Sequence, residues 1–381
     1  MEKNLTGVGE YTFNLLTHLF EIDSTNNYYL FFNSRKDVAQ RIPKFNQPNV
    51  HYCQFKYPNK ILNLSLKFFK YPKLDLLINK RFKTKIDKFF FPNISFFQTE
   101  CPYLITAHDL SFELFPEFLS LKRKLWHKFI NPKKCFQNAE KVISVSKNTK
   151  LDLDVRYQLS NVNCSTVYSG ISKDFKPLGD GFGPESIPNT KRIKIFRQKH
   201  NLPQKFILAL STIEPRKNLD TLVDAFKEFN KVKPEYSLVI TGPQGWGKQD
   251  KRDKQDERDK QIIWTGFVEA KDKCLLYNLA SMFIYPSFYE GFGFPPLEAM
   301  ASGCPVITTN NSSLSEVCED AAILIDAHNS NDLLQVMRQM IKPEIKNYYQ
   351  NKGIEQAQKF NWELTAQKLL QNINQSRIDK E

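Results

Sequence analysis

Short apolar runs, rich in β-branched and aromatic residues, alternate along this chain with amphipathic stretches. The runs predict β-strands at Tyr28–Phe32, Tyr103–Ala107, Lys141–Val145, Phe206–Leu210, Ser237–Thr241, Ile262–Thr265, Met282–Tyr285, Val306–Thr309 and Ala322–Ile325. The amphipathic stretches predict helices at Tyr11–Phe20, Leu219–Phe229, Cys274–Ala280 and Leu333–Met340. Continuous apolar strands that alternate with helices are typical of parallel sheets covered on both faces. The sequence therefore predicts an α/β fold.

A segment rich in proline and glycine, Gly170–Gln204, interrupts this alternation near the middle of the chain. Similar α/β units lie on both sides of it, and the length of 381 residues suits two domains of roughly 150 residues each. We expect an N-terminal Rossmann-like domain over residues 1–175, a linker over 176–204, a C-terminal Rossmann-like domain over 205–360 and a terminal helix within 361–381.

Several classes of protein are disfavoured by composition. No apolar stretch reaches the roughly 18 residues that a membrane-spanning helix needs, and the polar residues from Met1 to Gly9 do not resemble a secretory signal. The seven cysteines form no Cys-x-x-Cys pair, which argues against a zinc site or a disulfide framework. The sequence thus favours a reducing, cytoplasmic setting.

The net charge of +13 is concentrated in the N-terminal half, where residues 1–170 hold 25 Lys and Arg against 14 Asp and Glu. The densest basic stretch runs from Lys56 to Lys88 and is interleaved with aromatic residues such as Tyr57, Phe68 and Phe69. Three interpretations of this basic stretch remain open: a solvated basic face, a surface for an anionic membrane, and a surface for nucleic acid.

The most specific motif is the run Glu290-Gly291-Phe292-Gly293-Phe294-Pro295-Pro296-Leu297-Glu298, which follows a predicted strand and opens a predicted helix. Proline suits the first helical turn because an N–H group is not needed there. The two glycines allow a ligand to approach the backbone closely, and the N–H groups of a helix N-terminus favour an anion.

Two carboxylates, Glu290 and Glu298, bracket this loop, and we expect Glu298 in the first helical turn. Carboxylates of this kind accept hydrogen bonds from sugar hydroxyls. The motif thus predicts a site for a ligand that carries both an anionic group and hydroxyl groups. The alternative is an ordinary strand-to-helix turn with a capping glutamate.

Other polar residues follow predicted strands at the carboxyl ends, where α/β proteins bind their ligands. Arg216 and Lys217 follow Phe206–Leu210 and can neutralise an anion without a metal ion, unless they form a solvated basic turn. His108 follows Tyr103–Ala107 and is either a ligand contact or a structural hydrogen-bonding group. Asp109 either orients the imidazole of His108 or caps the next turn.

The N-terminal glycines Gly7 and Gly9 precede a predicted helix, as a phosphate-facing loop does, although no predicted strand comes before them. A doubly wound sheet normally places a strand there. We therefore expect that the first strand is missing, either because the true start lies further upstream or because a segment has been lost. The alternative to a phosphate-facing loop is that Gly7 and Gly9 belong to a glycine-bearing loop in a frayed N-terminus.

Two further patterns imitate known sites. Residues 242–248 fit Gly-x4-Gly-Lys, but Gln249 stands where a P-loop has Ser or Thr, and a charged run, predicted as a solvent loop, follows instead of a helix. Asp152-Leu153-Asp154 fits an Asp-x-Asp metal motif, but it lies in a helix-like stretch, where a solvated helical face is the simpler interpretation.

Together these motifs resemble those of glycosyltransferase family four, retaining enzymes of the GT-B fold. The resemblance rests on Glu-x7-Glu with Gly-Phe-Gly inside it and extends through most of the chain. The other matching segments are Thr6–Thr12, His108–Leu110, Val145–Thr149, Tyr168–Ile171 and Ile213–Asn218. The fold implied is two Rossmann-like domains with parallel sheets facing across a cleft, here without the first strand, and a final helix that returns toward the N-terminal domain.

The resemblance also implies roles for the candidate residues, with no metal ion and no other cofactor. Catalytic roles fall to His108, Arg216, Lys217 and Glu290. Binding of the sugar donor falls to Gly7, Gly9, Ser146, Gly266, Phe267, Val268, Gly291, Phe292, Gly293, Phe294 and Glu298. For Ser146 the alternative is a helix N-cap, and for Gly266–Val268 it is an ordinary strand exit.

The activity implied is transfer of a hexosyl group from a nucleoside-diphosphate sugar to a saccharide or polyprenyl-linked saccharide, with retention. The similarity to bacterial polysaccharide and O-antigen mannosyltransferases favours GDP-mannose or a UDP-sugar, with the basic N-terminal domain as the acceptor domain at the inner membrane face. The alternatives are a catalytically weak nucleotide-sugar-binding protein, a sugar-nucleotide epimerase and a basic nucleic-acid-binding module.

Overall fold

The computed structural model describes residues 7–35, 42–159, 163–178, 189–245 and 260–378. The chain divides into two compact units. The first comprises Met1–Leu114, Leu121–Gly170 and Asn361–Glu381, and the second comprises Phe115–Ser120 and Ile171–Phe360.

The first unit alternates short strands and helices, as a parallel sheet requires. Its elements, before the C-terminal helix, are α1 (Gly7–Ile22), β1 (Tyr28–Asn33), β2 (Val50–Phe55), α2 (Asn59–Leu64) with a π-helical continuation Ser65–Phe69, α3 (Leu74–Phe82), β3 (Phe89–Phe91), β4 (Tyr103–Ala107), α4 (Ser111–Leu114), α5 (Leu121–Ile130), α6 (Pro132–Gln137), β5 (Lys141–Ser144), α7 (Lys147–Tyr157) and β6 (Asn163–Thr166).

The strands of the first unit form two separate parallel sheets. One pairs β1 with β2, and the other has the order β3-β4-β5-β6. In the described part of the chain no strand precedes α1, and residues 1–6 lie outside that part.

The second unit is built on one six-stranded parallel sheet. Its elements are α8 (Asn189–His200), β7 (Phe206–Leu210), α9 (Leu219–Asn230), β8 (Ser237–Thr241), β9 (Ile262–Gly266), α10 (Ala270–Leu279), β10 (Met282–Tyr285), α11 (Phe294–Ala301), β11 (Val306–Thr309), α12 (Ser312–Cys318), β12 (Ala322–Ile325), α13 (Ser330–Met340) and α14 (Pro343–Gln358). The final helix, α15 (Trp362–Ile378), packs in the first unit, where Trp362 lies 5.9 Å from Tyr11 between ring centroids.

The strand order of the second sheet, β12-β11-β10-β7-β8-β9, reverses direction between β7 and β10. The chain builds outward from β7 to β9 and then returns to the other side of β7 for β10. Loops after the two central strands therefore diverge, which leaves a crevice at their carboxyl ends. This crevice is where an open α/β sheet binds ligands.

The helices pack on this sheet through apolar side chains that recur every three or four residues and so lie on one face of the helix. Leu222, Phe226 and Phe229 of α9 are fully or almost fully buried against strand residues such as Ile240. All five residues of β7 and of β8 are buried, because a central parallel strand has helices on both faces. This rigid centre fixes the positions of the loops that follow it.

All nine predicted strands are confirmed to within one residue at either end. Three further strands, β2, β3 and β6, were not predicted, and their residues explain why. In β2 His51 and Gln54 interrupt the apolar run, β3 has three residues, and β6 is the largely polar run Asn163–Thr166. Short or half-buried strands carry too weak a pattern to be separated from loops.

The expected linker differs from what is seen. Residues 189–200 within it form helix α8, which belongs to the second unit, and residues 179–188 lie outside the described part. The segment Phe115–Ser120 also belongs to the second unit, where Phe115 lies 5.5 Å from Tyr289 between ring centroids. The hydrophobic periodicity of the sequence does not show that such a short segment belongs to the other unit.

Across the described residues, no helix combines the length and apolarity needed to cross a bilayer.

Candidate active site

Two turns of the second unit meet beside the central strands. The first follows β7 and contains the 3₁₀ turn Pro215–Lys217, and the second follows β10 and contains Glu290. Because β7 and β10 are hydrogen-bonded neighbours, the ends of both strands lie at the same edge of the sheet. Residues more than 70 positions apart in the sequence are thereby brought into contact.

Glu290 is the centre of a buried ionic cluster. Its Oε1 lies 2.5 Å from Lys217 Nζ, and its Oε2 lies 3.1 Å from Arg216 Nη1. Lys217 Nζ also donates to the hydroxyl of Tyr285 at 2.8 Å, and Arg216 Nη2 pairs with Glu214 at 2.8 Å. The structure thus brings Arg216 and Lys217 into direct contact with Glu290.

Burial and charge together set the protonation of this cluster. Burial raises the pKa of Glu290, but the charges of Arg216 and Lys217 outweigh it and lower that pKa to about 2. The pKa of Lys217 is lowered by burial and by the charge of the neighbouring Arg216. The charge of Glu290 raises this pKa but does not cancel the decrease. Glu290 is therefore ionised throughout the physiological range.

Backbone contacts lock the two turns together. Asn218 adopts a left-handed conformation with φ of 54° and donates to the carbonyls of Pro286 and Ala327 at 3.1 and 2.6 Å. The N–H of Phe288 donates to the carbonyl of Arg216 at 3.0 Å. These bonds hold the cations against the loop that carries Glu290, so the geometry does not depend on flexible side chains alone.

The Gly-Phe-Gly loop leads into helix α11 as predicted. Gly293 is the residue before the helix and has a φ of 102°, and a side chain there would bring its Cβ to 2.8 Å from Leu314 Cδ2. Proline occupies the first turn of α11, as expected. Gly291, Phe292 and Gly293 are buried, and Phe294 is half-buried at the helix N-terminus.

Glu298 is not in the first helical turn, which corrects the prediction. Helix α11 begins at Phe294, so Glu298 is its fifth residue, and its first turn contains no acidic residue. Helix-terminal N–H groups therefore do not stabilise this carboxylate. Tyr277 donates to Glu298 Oε2 at 2.8 Å, and Lys273 Nζ lies 3.3 Å from Oε1, both from the neighbouring helix α10.

Gly266 ends β9 with a φ of 71°, Phe267 is 47% exposed, and Val268 is buried. The carbonyl of Gly266 accepts from the N–H of Gly242, whose own φ is 144°. A Cβ at Gly242 would come within 1.8 Å of the Ser211 carbonyl oxygen, so the turn after β8 requires glycine. The remaining residues of the P-loop-like pattern, from Trp246 to Lys248, lie outside the described part of the chain.

His108 lies in the first unit at the carboxyl end of β4. Its Nε2 lies 2.7 Å from the carbonyl oxygen of Pro92, which accepts the imidazole proton and leaves Nδ1 as an acceptor. Burial lowers the pKa of His108, so the ring is neutral at pH 7. Asp109 accepts from the N–H and the hydroxyl of Ser111 at 2.9 and 2.8 Å, so it caps the next turn.

Ser146 is fully buried and caps helix α7 by accepting from the N–H of Thr149 at 3.0 Å. Gly7 and Gly9 lie in the first turn of α1 and not in a loop before it, which corrects the expected geometry. A Cβ at Gly7 would meet no atom within 4 Å. Asp152 and Asp154 lie within α7, as the helical interpretation of that pattern predicted.

Four site residues escaped sequence analysis: Tyr285, Tyr277, Lys273 and Glu214. Tyr285 is the last residue of β10, and its position at a strand's carboxyl end was a usable signal. Tyr277 and Lys273 are contributed by α10, whose sequence contains no motif, and only the packing of α10 beside α11 reveals them. Among the described residues, no group of three or more His, Cys, Asp or Glu side chains is arranged to hold a metal ion.

Part of this chain is similar in sequence to known proteins. Residues 190–360 match the family model "Glycosyl transferases group 1". The chain is 29% identical over 264 residues, 68% of its own length and 66% of the relative's, to O-antigen chain mannosyltransferase B of Escherichia coli. It is 27% identical over 239 residues to the serotype-specific mannosyltransferase WbdA of Escherichia coli, covering 61% of this chain but only 28% of that relative's length.

The whole fold also has a known counterpart. A sucrose-phosphate synthase from Thermosynechococcus elongatus superposes with a TM-score of 0.72 over 98% of this chain and 94% of its own, at 19% identity. The fold is therefore GT-B, with two Rossmann-like domains, and the Lys217–Glu290 cluster lies within residues 190–360, which match the glycosyl transferases group 1 model.

Proposed function

We propose that this protein is a hexosyltransferase that moves a hexosyl group from a nucleoside-diphosphate sugar to a saccharide acceptor. The observation that carries the proposal is the buried Arg216–Lys217–Glu290 cluster at the crevice between β7 and β10. It lies in the segment that matches the glycosyl transferases group 1 model.

In the proposed reaction, Arg216 and Lys217 stabilise the leaving diphosphate. Breaking the glycosidic bond places a full extra negative charge on the departing phosphate oxygen, and preorganised cations in a dry site stabilise such charge strongly. Glu290 holds Lys217 at 2.5 Å and so fixes the direction of its ammonium group before the ligand arrives. No metal ion is needed for this role.

The remaining candidates bind the sugar donor in this proposal. Glu290 and the backbone of residues 291–294 hold the hexose, and Glu298 accepts from the ribose hydroxyls while Tyr277 and Lys273 fix its orientation. Gly266–Val268 lie against the base, and Gly7 and Gly9 offer first-turn N–H groups of α1 to a phosphate. His108, a neutral imidazole, contacts the sugar donor through Nδ1, and Ser146 orients the start of α7.

For the stereochemical course we propose retention, with departure of the diphosphate and attack by the acceptor on the same face of the sugar. The mannosyltransferase names of the two relatives support transfer of a mannosyl group. The donor in this proposal is GDP-mannose or a UDP-sugar, and the acceptor is a saccharide or a polyprenyl-linked saccharide. The alternative functions differ in what they consume. An epimerase converts the sugar donor without an acceptor, and a weak binding protein binds it without turnover.

A panel of nucleoside-diphosphate sugars tests the proposal. Each is incubated with the full chain with and without a mannose-terminated oligosaccharide, and release of the nucleoside diphosphate is measured. Transfer requires acceptor-dependent release with one donor and a glycosylated product by mass spectrometry. Conversion of the donor without acceptor identifies an epimerase, and thermal stabilisation without turnover identifies a binding protein. Salt-dependent binding of oligonucleotides without either response identifies a nucleic-acid-binding module.

We also propose that the first unit associates with the anionic inner face of the cytoplasmic membrane. The segment from α2 through its π-helical continuation exposes apolar side chains, including Phe68 at 62% and Phe69 at 79%, beside Lys67 and Lys70. Helix α5 exposes Leu121 at 79% and Trp126 at 42% among basic residues. Exposed apolar residues flanked by cations suit the boundary between anionic headgroups and acyl chains.

A further inference from the structure

Three aromatic side chains of the first unit are in contact one after another. The ring of Tyr11, in helix α1, lies 5.9 Å from that of Trp362 between centroids, with an interplanar angle of 63°. The same Tyr11 ring lies 4.7 Å from the imidazole of His108 at an angle of 87°. Both pairs have the edge-to-face arrangement that aromatic rings prefer. Tyr11 therefore connects the first residue of helix α15 with the imidazole.

The central ring of this series is held by the strand that leads to His108. Tyr11 is 1% exposed, and burial raises its pKa to about 12, so its phenol stays neutral. Its hydroxyl oxygen lies 3.4 Å from Oγ1 of Thr106 in β4. Tyr11 thus contacts both the imidazole and the strand that carries it.

The outer ring is fixed by the start of helix α15. Trp362 is 3% exposed. A Cβ at Gly170 would come within 2.2 Å of the backbone nitrogen of Trp362, so the chain at Gly170 packs directly on this residue. One turn further along α15, the hydroxyl of Thr365 donates to the carbonyl of Tyr168 at 2.8 Å. Helix α15 therefore presents Trp362 to Tyr11 from a fixed position.

The imidazole of His108 needs a second contact to define the plane of its ring. Its Nε2 lies 2.7 Å from the carbonyl oxygen of Pro92, but a single hydrogen bond still lets the ring tilt about that nitrogen. The perpendicular contact with Tyr11 opposes this tilt, because a close-packed interior has no room for the imidazole to move. Two contacts at different points hold the ring, and with it the direction of Nδ1.

We propose that Tyr11 and Trp362 are positioning residues for His108 and that helix α15 thereby takes part in the site. The family match ends at residue 360, and α15 begins at Trp362, so this support comes from outside the matched segment. Its effect on transfer rests on the proposed function, in which Nδ1 contacts the sugar donor. The orientation of the imidazole does not rest on it and is measured separately.

Nuclear magnetic resonance of the full chain labelled with ¹⁵N-histidine measures the state of the imidazole. His108 is one of six histidines, and its signals are assigned by their loss in His108→Gln. In the unmodified chain it should show one tautomer, protonated at Nε2, without exchange broadening. Mixed or broadened signals would overturn the inference, and this result does not require any other variant to fold.

Two substitutions remove the supporting rings. In Tyr11→Leu we expect mixed tautomer signals and a pKa of His108 that rises toward its ordinary value, because water reaches the imidazole. Asp109 also affects this pKa but keeps its charge in every variant. Trp362→Leu should change the same signals in the same direction but less, because it loosens only the support of Tyr11. Tyr11→Phe keeps the ring and should resemble the unmodified chain.

Leu369→Ala is the matched control on the same helix. Leu369 is fully buried and lies two turns, about 10 Å, beyond Trp362. Its truncation loosens the packing of α15 without removing a ring from the series, so the signals of His108 should not change. Unchanged signals in Tyr11→Leu and Trp362→Leu, or an equal change in Leu369→Ala, would overturn the inference.

Diphosphate release at saturating sugar donor measures the consequence for transfer. The kcat of Tyr11→Leu should fall by about tenfold or more, because a small displacement at the reacting centre is costly, and that of Tyr11→Phe should stay within about threefold. Absence of turnover in the unmodified chain, with the imidazole response intact, would refute the proposed function and support the positioning of His108. Full turnover of Tyr11→Leu despite altered imidazole signals would show that transfer does not use this orientation and would overturn the role of α15 in the site.

Discussion

Lys217 Nζ lies 2.5 Å from Glu290 Oε1, although the two residues are separated by 73 positions in the sequence. Both are almost fully buried, with 7% and 8% of their surface exposed. Buried ion pairs of this kind contribute little net stability, because desolvation offsets the attraction, but removal of one partner is costly. The pair therefore adds little to the net stability of the fold, which agrees with the ligand-binding role that we propose for it.

Replacement of Lys217 by alanine should lower kcat by about 100-fold or more, because one preorganised cation at the leaving group is lost. Lys231→Ala is the matched control, since Lys231 forms a surface pair with Glu228 at 2.6 Å. Diphosphate release at saturating sugar donor measures the effect, and circular dichroism checks that both variants fold. Turnover of Lys217→Ala within threefold of the unmodified protein would remove this residue from the mechanism.

Glu290→Gln should lose stability in a pH-dependent manner. The pKa of Glu290 is lowered in the fold from 4.5 to about 2, so its ionised form contributes stability above pH 4.5 that is lost as the pH falls toward 2. The difference of unfolding free energy between the unmodified protein and Glu290→Gln should be roughly 3 kcal/mol at pH 7 and should shrink between pH 5 and pH 2.

Urea unfolding at a series of pH values measures this difference. Glu319→Gln serves as the control, because Glu319 pairs with Lys359 at an exposed position, where an ion pair is worth about 1 kcal/mol or less. A difference for Glu290→Gln that stays constant from pH 7 to pH 3 would contradict the assigned ionisation.

Replacement of two glycines by alanine tests two different effects. Gly293→Ala tests the effect of backbone strain on stability, and Gly7→Ala tests whether the sugar donor comes close to that residue. Alanine at Gly293 meets a φ of 102° and a side-chain clash at 2.8 Å, so we expect a loss of about 1–3 kcal/mol of stability with lowered activity. Alanine at Gly7 meets open space in a helix and should leave stability unchanged or slightly raised. Thermal unfolding measures both.

A fall in activity of Gly7→Ala with unchanged stability would support close approach of the sugar donor to the first turn of α1. Unchanged activity would show instead that Gly7 is not required for ligand approach, and the prediction for Gly7 would be wrong.

Phe68→Ser combined with Phe69→Ser should reduce sedimentation with anionic vesicles by about tenfold or more, because each exposed ring buries apolar area in the bilayer. The control combines Val232→Ser with Tyr348→Ser, two exposed apolar positions of the second unit. Activity on a short water-dissolved acceptor should not change. Equal retention of both double variants on vesicles would exclude this surface as the membrane contact.

A test of the membrane proposal by removal of positive charge should not use Arg81. Arg81 belongs to the basic stretch, but its guanidinium lies 5.2 Å from the centre of the Phe55 ring and donates to the carbonyl of Gln54. Its replacement would disturb packing as well as charge. Lys67 and Lys70, which flank the exposed aromatic residues, are the better positions for charge removal.

Much of the architecture was predictable because its signals are local. Each buried central strand is a continuous apolar run, as in Phe206–Leu210, and the loop before α11 contains the glycine that its positive φ requires. Position along a helix was less predictable, since the start of α11 at Phe294 moved Glu298 out of the first turn. A shift of one residue changes which groups stabilise that carboxylate.

By itself, the sequence determined the α/β class, the central strands and the identity of the charged residues, because periodicity and residue chemistry are properties of neighbouring positions. Only the tertiary structure decided that Lys217 reaches Glu290, that Tyr277 and Lys273 hold Glu298, and that residues of β1 and β3 line one cavity. These relationships depend on which strands become neighbours and how helices pack over them, and long-range pairing leaves no pattern in a single local stretch of chain.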